Sequence, residues 1–397
     1  MTPYADFLYF RVSLVALLPT ILQGLTGWRG RRALIVVTTA AMLAIQYGGP
    51  ATLGAVRGIS ELWIVGVYAA FEWLLAVGSL AARRGRRRPW LFRLALIAAV
   101  APLGLARWLP LVAPGWHLGF LGISYVTLRS LDALICIEDG LVTELPFVEF
   151  LGFLLFFPTI SAGPIDRYRR FARDWARERT RAEFLQDVDQ GVHRIVRGFL
   201  YKFILAALIR QHWLTPAASS ASVASGISYM YAYALYLFFD FAGYSAFAIG
   251  FSYLFGIRTP ENFRRPFLAP NIREFWNRWH ISLSWWLRDH VYMRFVMAAA
   301  KGGWFRSQHL ASHVGIILAM GLMGLWHGTQ AQYILYGFYQ AALLVGYDVF
   351  ARRIAGRLPR LPVPVRRPAA VLITFHAVAF GFLIFSGRLT GGVSATP

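Results

Sequence analysis

The stretch Ile227-Ser228-Tyr229-Met230-Tyr231-Ala232-Tyr233-Ala234-Leu235-Tyr236-Leu237-Phe238-Phe239-Asp240-Phe241-Ala242-Gly243-Tyr244-Ser245-Ala246-Phe247-Ala248-Ile249-Gly250-Phe251-Ser252-Tyr253-Leu254-Phe255-Gly256 carries one charged residue, Asp240. Crossing about 30 Å of hydrocarbon takes about 20 helical residues, so this run is long enough to span a bilayer. Similar apolar runs cover 7–27, 33–53, 60–82, 91–112, 116–137, 147–163, 194–214, 308–326, 331–350 and 369–386. They are too long and too continuous for barrel strands, so helices are the expected spanning form. The chain reads as an all-α polytopic membrane protein.

Composition agrees. Hydrophobic residues make up 57% of the 397 and charged ones 15%, against roughly a quarter charged in soluble domains. A soluble core could not hold so much apolar surface. The net charge of +21 raises nucleic acid as a partner, but the cations sit in short loops between runs, at 29–32, 83–88, 167–181 and 352–367. Such loops mark the cytoplasmic side and attract anionic headgroups, so no nucleic-acid partner is expected. The same asymmetry puts the N-terminus and the 48–58 loop outside. The single Cys136 leaves no intramolecular disulfide and no cysteine metal cluster, and residues 1–6 lack the basic start of a cleavable signal.

Counting spans exposes a conflict. Two full crossings between 116 and 163 would place the basic 167–181 segment outside, so one of them is expected not to cross. The run 116–137 contains Arg129 and Asp132, which at membrane depth must pair or face a cavity. Residues 158–181 start apolar, break at Pro158, Gly163 and Pro164, and turn basic; 257–305 mix aromatic and polar residues. Both read as re-entrant or interfacial backbone. No internal repeat is evident, and the whole of 1–397 is read as one membrane domain, with N-terminal helices to 112, a core over 113–350 and a C-terminal helix in 351–397.

Of nine histidines, His117, His193, His212 and His376 sit at span ends and read as interfacial. His309 and His313 share a helical face at i, i+4 but lack a third ligand, so no metal is expected. His327, in Gly321-Leu322-Met323-Gly324-Leu325-Trp326-His327-Gly328-Thr329, allows two readings. A buried neutral imidazole remains available as a base, and the glycines let another backbone or a substrate come close; a core histidine satisfied by one hydrogen bond is the other. His280, in Asn277-Arg278-Trp279-His280-Ile281-Ser282-Leu283-Ser284, reads either as catalytic or as a hydrogen-bond hub.

The run from Asp240-Phe241-Ala242-Gly243-Tyr244-Ser245 through Thr259-Pro260-Glu261-Asn262-Phe263 to Phe275-Trp276-Asn277-Arg278-Trp279-His280, closed by Arg288-Asp289, resembles the signature of bacterial membrane-bound O-acyltransferases. Leu325-Trp326-His327-Gly328 is similar to that family's second histidine motif. The opening Pro3-Tyr4-Ala5-Asp6-Phe7, the stretch Phe157-Pro158-Thr159-Ile160-Ser161-Ala162-Gly163-Pro164 and the ending Ile384-Phe385-Ser386-Gly387 are closer to the branch that transfers D-alanine than to the one that acetylates alginate. Gln340 stands where many relatives are expected to carry His, and takes no role.

The resemblance implies a ring of about 10–12 membrane helices around a thin central funnel with re-entrant segments, His327 as catalytic histidine and His280 as the second essential one. It implies a D-alanyl group delivered as a phosphopantetheine thioester by an acidic carrier protein on the cytoplasmic face, with no permanently bound cofactor, and passed to a hydroxyl of an envelope polymer such as teichoic acid. An extracytoplasmic partner for the final transfer is implied as well. The expected location is the bacterial cytoplasmic membrane.

Ester formation from a thioester needs a base, a place for the oxyanion and exclusion of water. Asn277, Arg278, Ser282, Asp289 and Trp326 are candidates to support the two histidines. No Gly-x-Ser-x-Gly elbow offers a serine nucleophile, which favours direct transfer, and no P-loop or Rossmann pattern offers amino-acid activation. For the carrier, Arg294, Val296, Met297 and Lys301 place basic and apolar groups together; a helix lying on lipid is the competing reading of that segment. A transporter is the main non-enzyme alternative, and an envelope scaffold leaves both histidine motifs unexplained.

Overall fold

The computed structural model describes residues 2–5, 7–27, 30–48, 60–85, 89–113, 119–220, 222–354, 356 and 362–391. Asp6, His117, most of the 48–58 loop and parts of the basic loops at 29, 86–88 and 357–361 lie outside them. The chain packs as two compact units, one of residues 1–198 with 244–260, the other of 199–243 with 261–397.

The first unit holds α1 (Phe7–Thr26), α2 (Arg31–Tyr47), α3 (Glu61–Arg84), α4 (Pro89–Val112), α5 (Ile123–Glu138), α6 (Phe147–Leu155), α7 (Tyr168–Ala176) and most of α8 (Arg181–Phe199). Outward residues such as Val67 and Ile97 are large, apolar and exposed, as a lipid-facing surface requires. The opening motif acts as an anchor. Tyr4 is buried, donates from its hydroxyl to the Pro158 carbonyl at 3.1 Å, and packs against Tyr9, Tyr244 and Phe247.

Arg129 and Asp132 of α5 pair as membrane depth demands. Arg129 is fully buried and donates to the carbonyls of Phe153, Leu154 and Thr159 and to the Thr159 hydroxyl. These acceptors exist because the helix breaks at Pro158: after α6 come the bend at Phe156 and a 3-10 turn, Phe157–Thr159. Asp132 accepts from Arg167 and from the Tyr168 amide, both at 2.8 Å, and so ties α5 to the start of α7. The run 116–137 thus becomes a helix of 16 residues, and 147–163 one of nine followed by irregular backbone. Helix α8 starts at a capping box, in which Glu183 accepts from the Thr180 amide at 2.9 Å and donates its own amide to the Thr180 hydroxyl at 3.2 Å.

In the second unit the chain continues from α8 through π-helical stretches, Leu200–Ala206 and Arg210–Leu214, with α9 (Ala207–Ile209) between them and α10 (Thr215–Ala218) after. There follow α11 (Val223–Leu254), whose residues from 244 belong to the first unit, the short α12 (Ile272–Trp276) and α13 (Ile281–Leu287), a π-helical turn at Arg288–Tyr292, and α14 (Met293–Gly302). Long helices α15 (Gln308–His327), α16 (Ala331–Arg353) and α17 (Val363–Phe385) complete it. Asp240, the lone acid of the apolar run, pairs with Lys202 at 2.5 Å, which answers the cost of an intramembrane charge. Among the described residues seven helices are long and apolar enough to cross a membrane: α1, α3, α4, α11, α15, α16 and α17. The 33–53 run forms a helix of 17 residues over its described part.

Candidate active site

Helix α15 ends at His327, and its position follows from two glycines. A Cβ on Gly324 would lie 2.5 Å from the Tyr333 carbonyl oxygen and 3.3 Å from the Gly337 Cα; one on Gly337 would lie 2.5 Å from the Met320 carbonyl oxygen. Helices α15 and α16 therefore touch backbone to backbone. The space that Gly324 leaves is filled by the α16 backbone. At the end of this seam the His327 ring packs edge-on to Phe385 at 4.9 Å and lies 6.2 and 6.4 Å from the Tyr333 and Tyr336 rings. Phe385 comes from the C-terminal motif, where the buried Ser386 hydroxyl donates to the Leu383 carbonyl at 2.7 Å.

His280 reaches the same place from the polar aromatic segment. It precedes α13 with φ 43° and ψ 50°, a left-handed conformation uncommon for any residue but glycine. Neighbouring hydrogen bonds hold it there. Ile281 donates its amide to the Asn262 carbonyl at 3.0 Å, Arg264 to that of Arg278 at 2.9 Å, and Phe263 bridges Trp279 as a short antiparallel pair. The Asn262 side chain accepts from the Ser282 hydroxyl at 2.7 Å. Asn262 thus braces the His280 turn with both its backbone and its side chain, a role the motif alone did not disclose.

His280 and His327 line one pocket of about 60 Å³ together with Phe241, Trp276, Trp279, Tyr336 and Phe385. Trp326 stands beside both, its ring 4.8 Å from that of His327 and 6.1 Å from that of His280. Phe241 covers the His280 ring at 4.8 Å. His280 is 4% exposed, and its Nδ1 meets no hydrogen-bond partner among the described residues. Burial, and then the nearby His327, push its pKa down to about 3, so it is a neutral imidazole with one donor and one acceptor nitrogen. The pocket has the makings of proton-transfer chemistry: two imidazoles in an almost wholly apolar lining, where electrostatic effects are stronger than in water.

The other candidates divide. Ser282 buttresses the His280 turn. Asn277 and Arg278 do not line the pocket; both bond to Glu274, at 3.4 and 3.3 Å. Asp289 pairs with its neighbour Arg288 at 2.8 Å on an exposed surface. Gln340 is fully buried and accepts from the Trp276 indole at 3.3 Å, so it positions a pocket ring. His309 and His313 face the α16 pair Asp348 and Arg352, with His313 Nε2 2.8 Å from Asp348. Among the described residues no three His, Cys, Asp or Glu gather to hold a metal ion.

On α14, Met297 and Lys301 are exposed, as is Met293 one turn earlier. Val296 points elsewhere: its side chain lies against Gly315 of α15. Arg294 is half-buried.

The family model of the membrane-bound O-acyltransferase family matches residues 121–385, a span that contains both histidines and every pocket residue. A teichoic acid D-alanyltransferase of Bacillus subtilis (strain 168) is 41% identical over 401 residues, covering 98% of either chain. One of Lacticaseibacillus rhamnosus is 38% identical with the same coverage. A probable alginate O-acetylase of Pseudomonas fluorescens is 32% identical over 69% of this chain and 54% of its own length. With the histidine motifs at one apolar pocket and a match across both units, this chain belongs to the membrane-bound O-acyltransferase family.

Proposed function

We propose that this membrane acyltransferase moves a D-alanyl group from a phosphopantetheine thioester, carried by an acidic protein, to a hydroxyl of a cell-envelope polymer of the teichoic acid kind. The pairing of His280 and His327 at one apolar pocket carries the reading, and the near-complete alignment with D-alanyltransferases selects the acyl group. His327 takes the proton of the attacking hydroxyl. The alkoxide oxygen bonds to the thioester carbonyl carbon, the tetrahedral intermediate collapses, and the carbon–sulfur bond breaks. The departing thiolate recovers the proton from His327, leaving an ester and a free phosphopantetheine thiol. His280, neutral and short of a partner at Nδ1, orients the carbonyl or the hydroxyl; an unpaired buried nitrogen costs about 1–3 kcal/mol, which a bound substrate would relieve.

The exposed Met293, Met297 and Lys301 suit an acidic carrier with an apolar contact at its centre. The basic loops support a cytoplasmic side for that face and an outer side for the N-terminus, in a bacterial plasma membrane, with a further protein completing the transfer on the outer side. The test is D-alanyl ester formation by purified protein in proteoliposomes supplied with D-alanyl-loaded carrier. His327→Ala is expected to abolish the product while melting stays near the parent's; near-parental transfer by that variant refutes the assignment. The similarity to alginate acetylases supports one rival, acetyl transfer, and faster use of an acetyl thioester in the same assay would install it.

A further inference from the structure

At the turn from α1 to α2 the first unit carries a cavity of about 330 Å³ whose wall includes Arg31, Arg32, Arg177, Arg179 and the exposed Glu178. Glu178 makes no ion pair among the described residues, but the other surrounding carboxylates are already engaged. Asp187 is held between Arg179 at 3.2 Å and Arg258 at 3.1 Å, Glu183 pairs with Arg177, and Asp174 with Arg170 at 2.7 Å. Arg31 and Arg32 instead donate to backbone carbonyls: Arg31 to those of Phe255, Asp174, Trp175 and Arg177, and Arg32 to those of Trp175 and Ala176. Carbonyls orient a guanidinium without neutralising it. Arg31 is buried, and its pKa is drawn down to about 10 by burial and then by Arg179 and Arg32, so the cations crowd one another.

Gly24 and Phe184 add apolar surface to the lining, beside Gln23. Gly24, in the last turns of α1, lies against the Phe184 ring so closely that a Cβ there would collide with it. Because α1 is a candidate span, a cavity at its end sits where hydrocarbon gives way to headgroups. We infer that this cavity is a binding site for a phosphate group, held by Arg32 and Arg177 over the fixed charges of Arg31 and Arg179, and that its occupant is the headgroup of an anionic phospholipid. Arg32 retains Nη1 and Arg177 retains Nη1 and Nε for the ligand, as the bonds to carbonyls and Glu183 use their other nitrogens. Planar guanidinium forks match phosphate oxygens.

The experiment titrates the detergent-purified full chain with dioleoyl phosphatidylglycerol, with dioleoylglycerol as the same chains without phosphate, and with inorganic phosphate, and reads bound ligand by native mass spectrometry. The comparison is among the parent, Arg32→Gln/Arg177→Gln, and a control Arg366→Gln/Arg367→Gln, which removes two exposed cations elsewhere. Phosphatidylglycerol is expected to bind the parent and the control alike and the site variant about thirtyfold more weakly, since each arginine near a lipid surface contributes about a factor of five. Arg177→Gln alone, which touches no backbone carbonyl, should lose about fivefold and serves if the double variant does not fold. Saturation by inorganic phosphate that displaces the lipid would keep the phosphate site and assign it to a free anion. Equal binding of dioleoylglycerol, or equal losses in the site and control variants, would overturn the inference.

Discussion

Gly324→Ala tests whether contact between α15 and α16 backbones sets the position of His327. The new Cβ would fall 2.5 Å from the Tyr333 carbonyl oxygen, and ordinary contact begins at 3.4 Å, so the helices must part by about 0.9 Å at that level. Neither neighbour can give way alone, because both the oxygen and the Gly337 Cα are backbone. Overpacking of this kind costs about 1–3 kcal/mol. His327 lies less than one turn further on, against Phe385 and Tyr333, and a displacement of ~1 Å at a reacting group can cost ~100-fold in rate. Gly321→Ala is the control: nothing lies within 4 Å of its Cβ, and alanine favours a helix by ~1 kcal/mol. The assay is single-turnover acyl transfer beside a melting curve. Gly324→Ala should lose about two orders of magnitude in rate and several degrees of melting temperature, and Gly321→Ala neither. A parental rate from Gly324→Ala would show that this contact does not position the histidine.

His280→Asn should keep the fold, since asparagine accepts left-handed backbone, yet lose transfer; His280→Val should also lower the melting temperature, because a β-branched residue there is a conformational outlier. As pH falls from about 6.5 to about 3, the unfolded chain gains a proton that folded His280 refuses, so the parent's melting temperature should fall over that window more than that of His280→Asn. Arg294→Glu with Lys301→Glu should slow carrier association and mimic high salt, while Met297→Asp should speed dissociation; unchanged carrier binding in all of these moves the docking surface elsewhere. Gly85→Cys, at the end of α3, should label from the cytoplasmic side only, and labelling from outside would invert the topology.

Membrane helices are readable because lipid leaves so few alternatives: α11 stands out as 32 residues around a single acid, and Asp240 could be expected to have a partner even though Lys202 could not be named. Proline and glycine at 158–164 marked the break after α6, and Arg129 explains why the break is tolerated, since its guanidinium collects the carbonyls set loose there. The two histidines were each visible, but not their meeting across 47 positions, which depends on the Gly324–Gly337 seam and the Asn262 brace. The polar neighbours stand apart from the pocket for a related reason. Asn277 and Arg278 sit next to His280 in sequence, yet the left-handed turn separates their directions, and the pocket is finished by aromatic rings from α11, α16 and α17 that no local motif includes. Gln340 acquired a role only when Trp276 was found against it.

The π-helical turn Arg288–Tyr292 has a consequence for the outward face of α14. The Met293 amide bonds back to the Arg288 carbonyl five residues earlier, so this turn holds one residue more than an α-helical turn does. Each residue advances a helix by about 100°. Winding the same residues as plain α-helix would turn every later side chain into its successor's place. Val296 would leave Gly315 for the outward position of Met297, and the outward row Met293, Met297, Lys301 would become Tyr292, Val296, Ala300. Removing His290, by contrast, would let the turn close as α-helix and leave that row where it is, so the extra residue sets which face of α14 is outward.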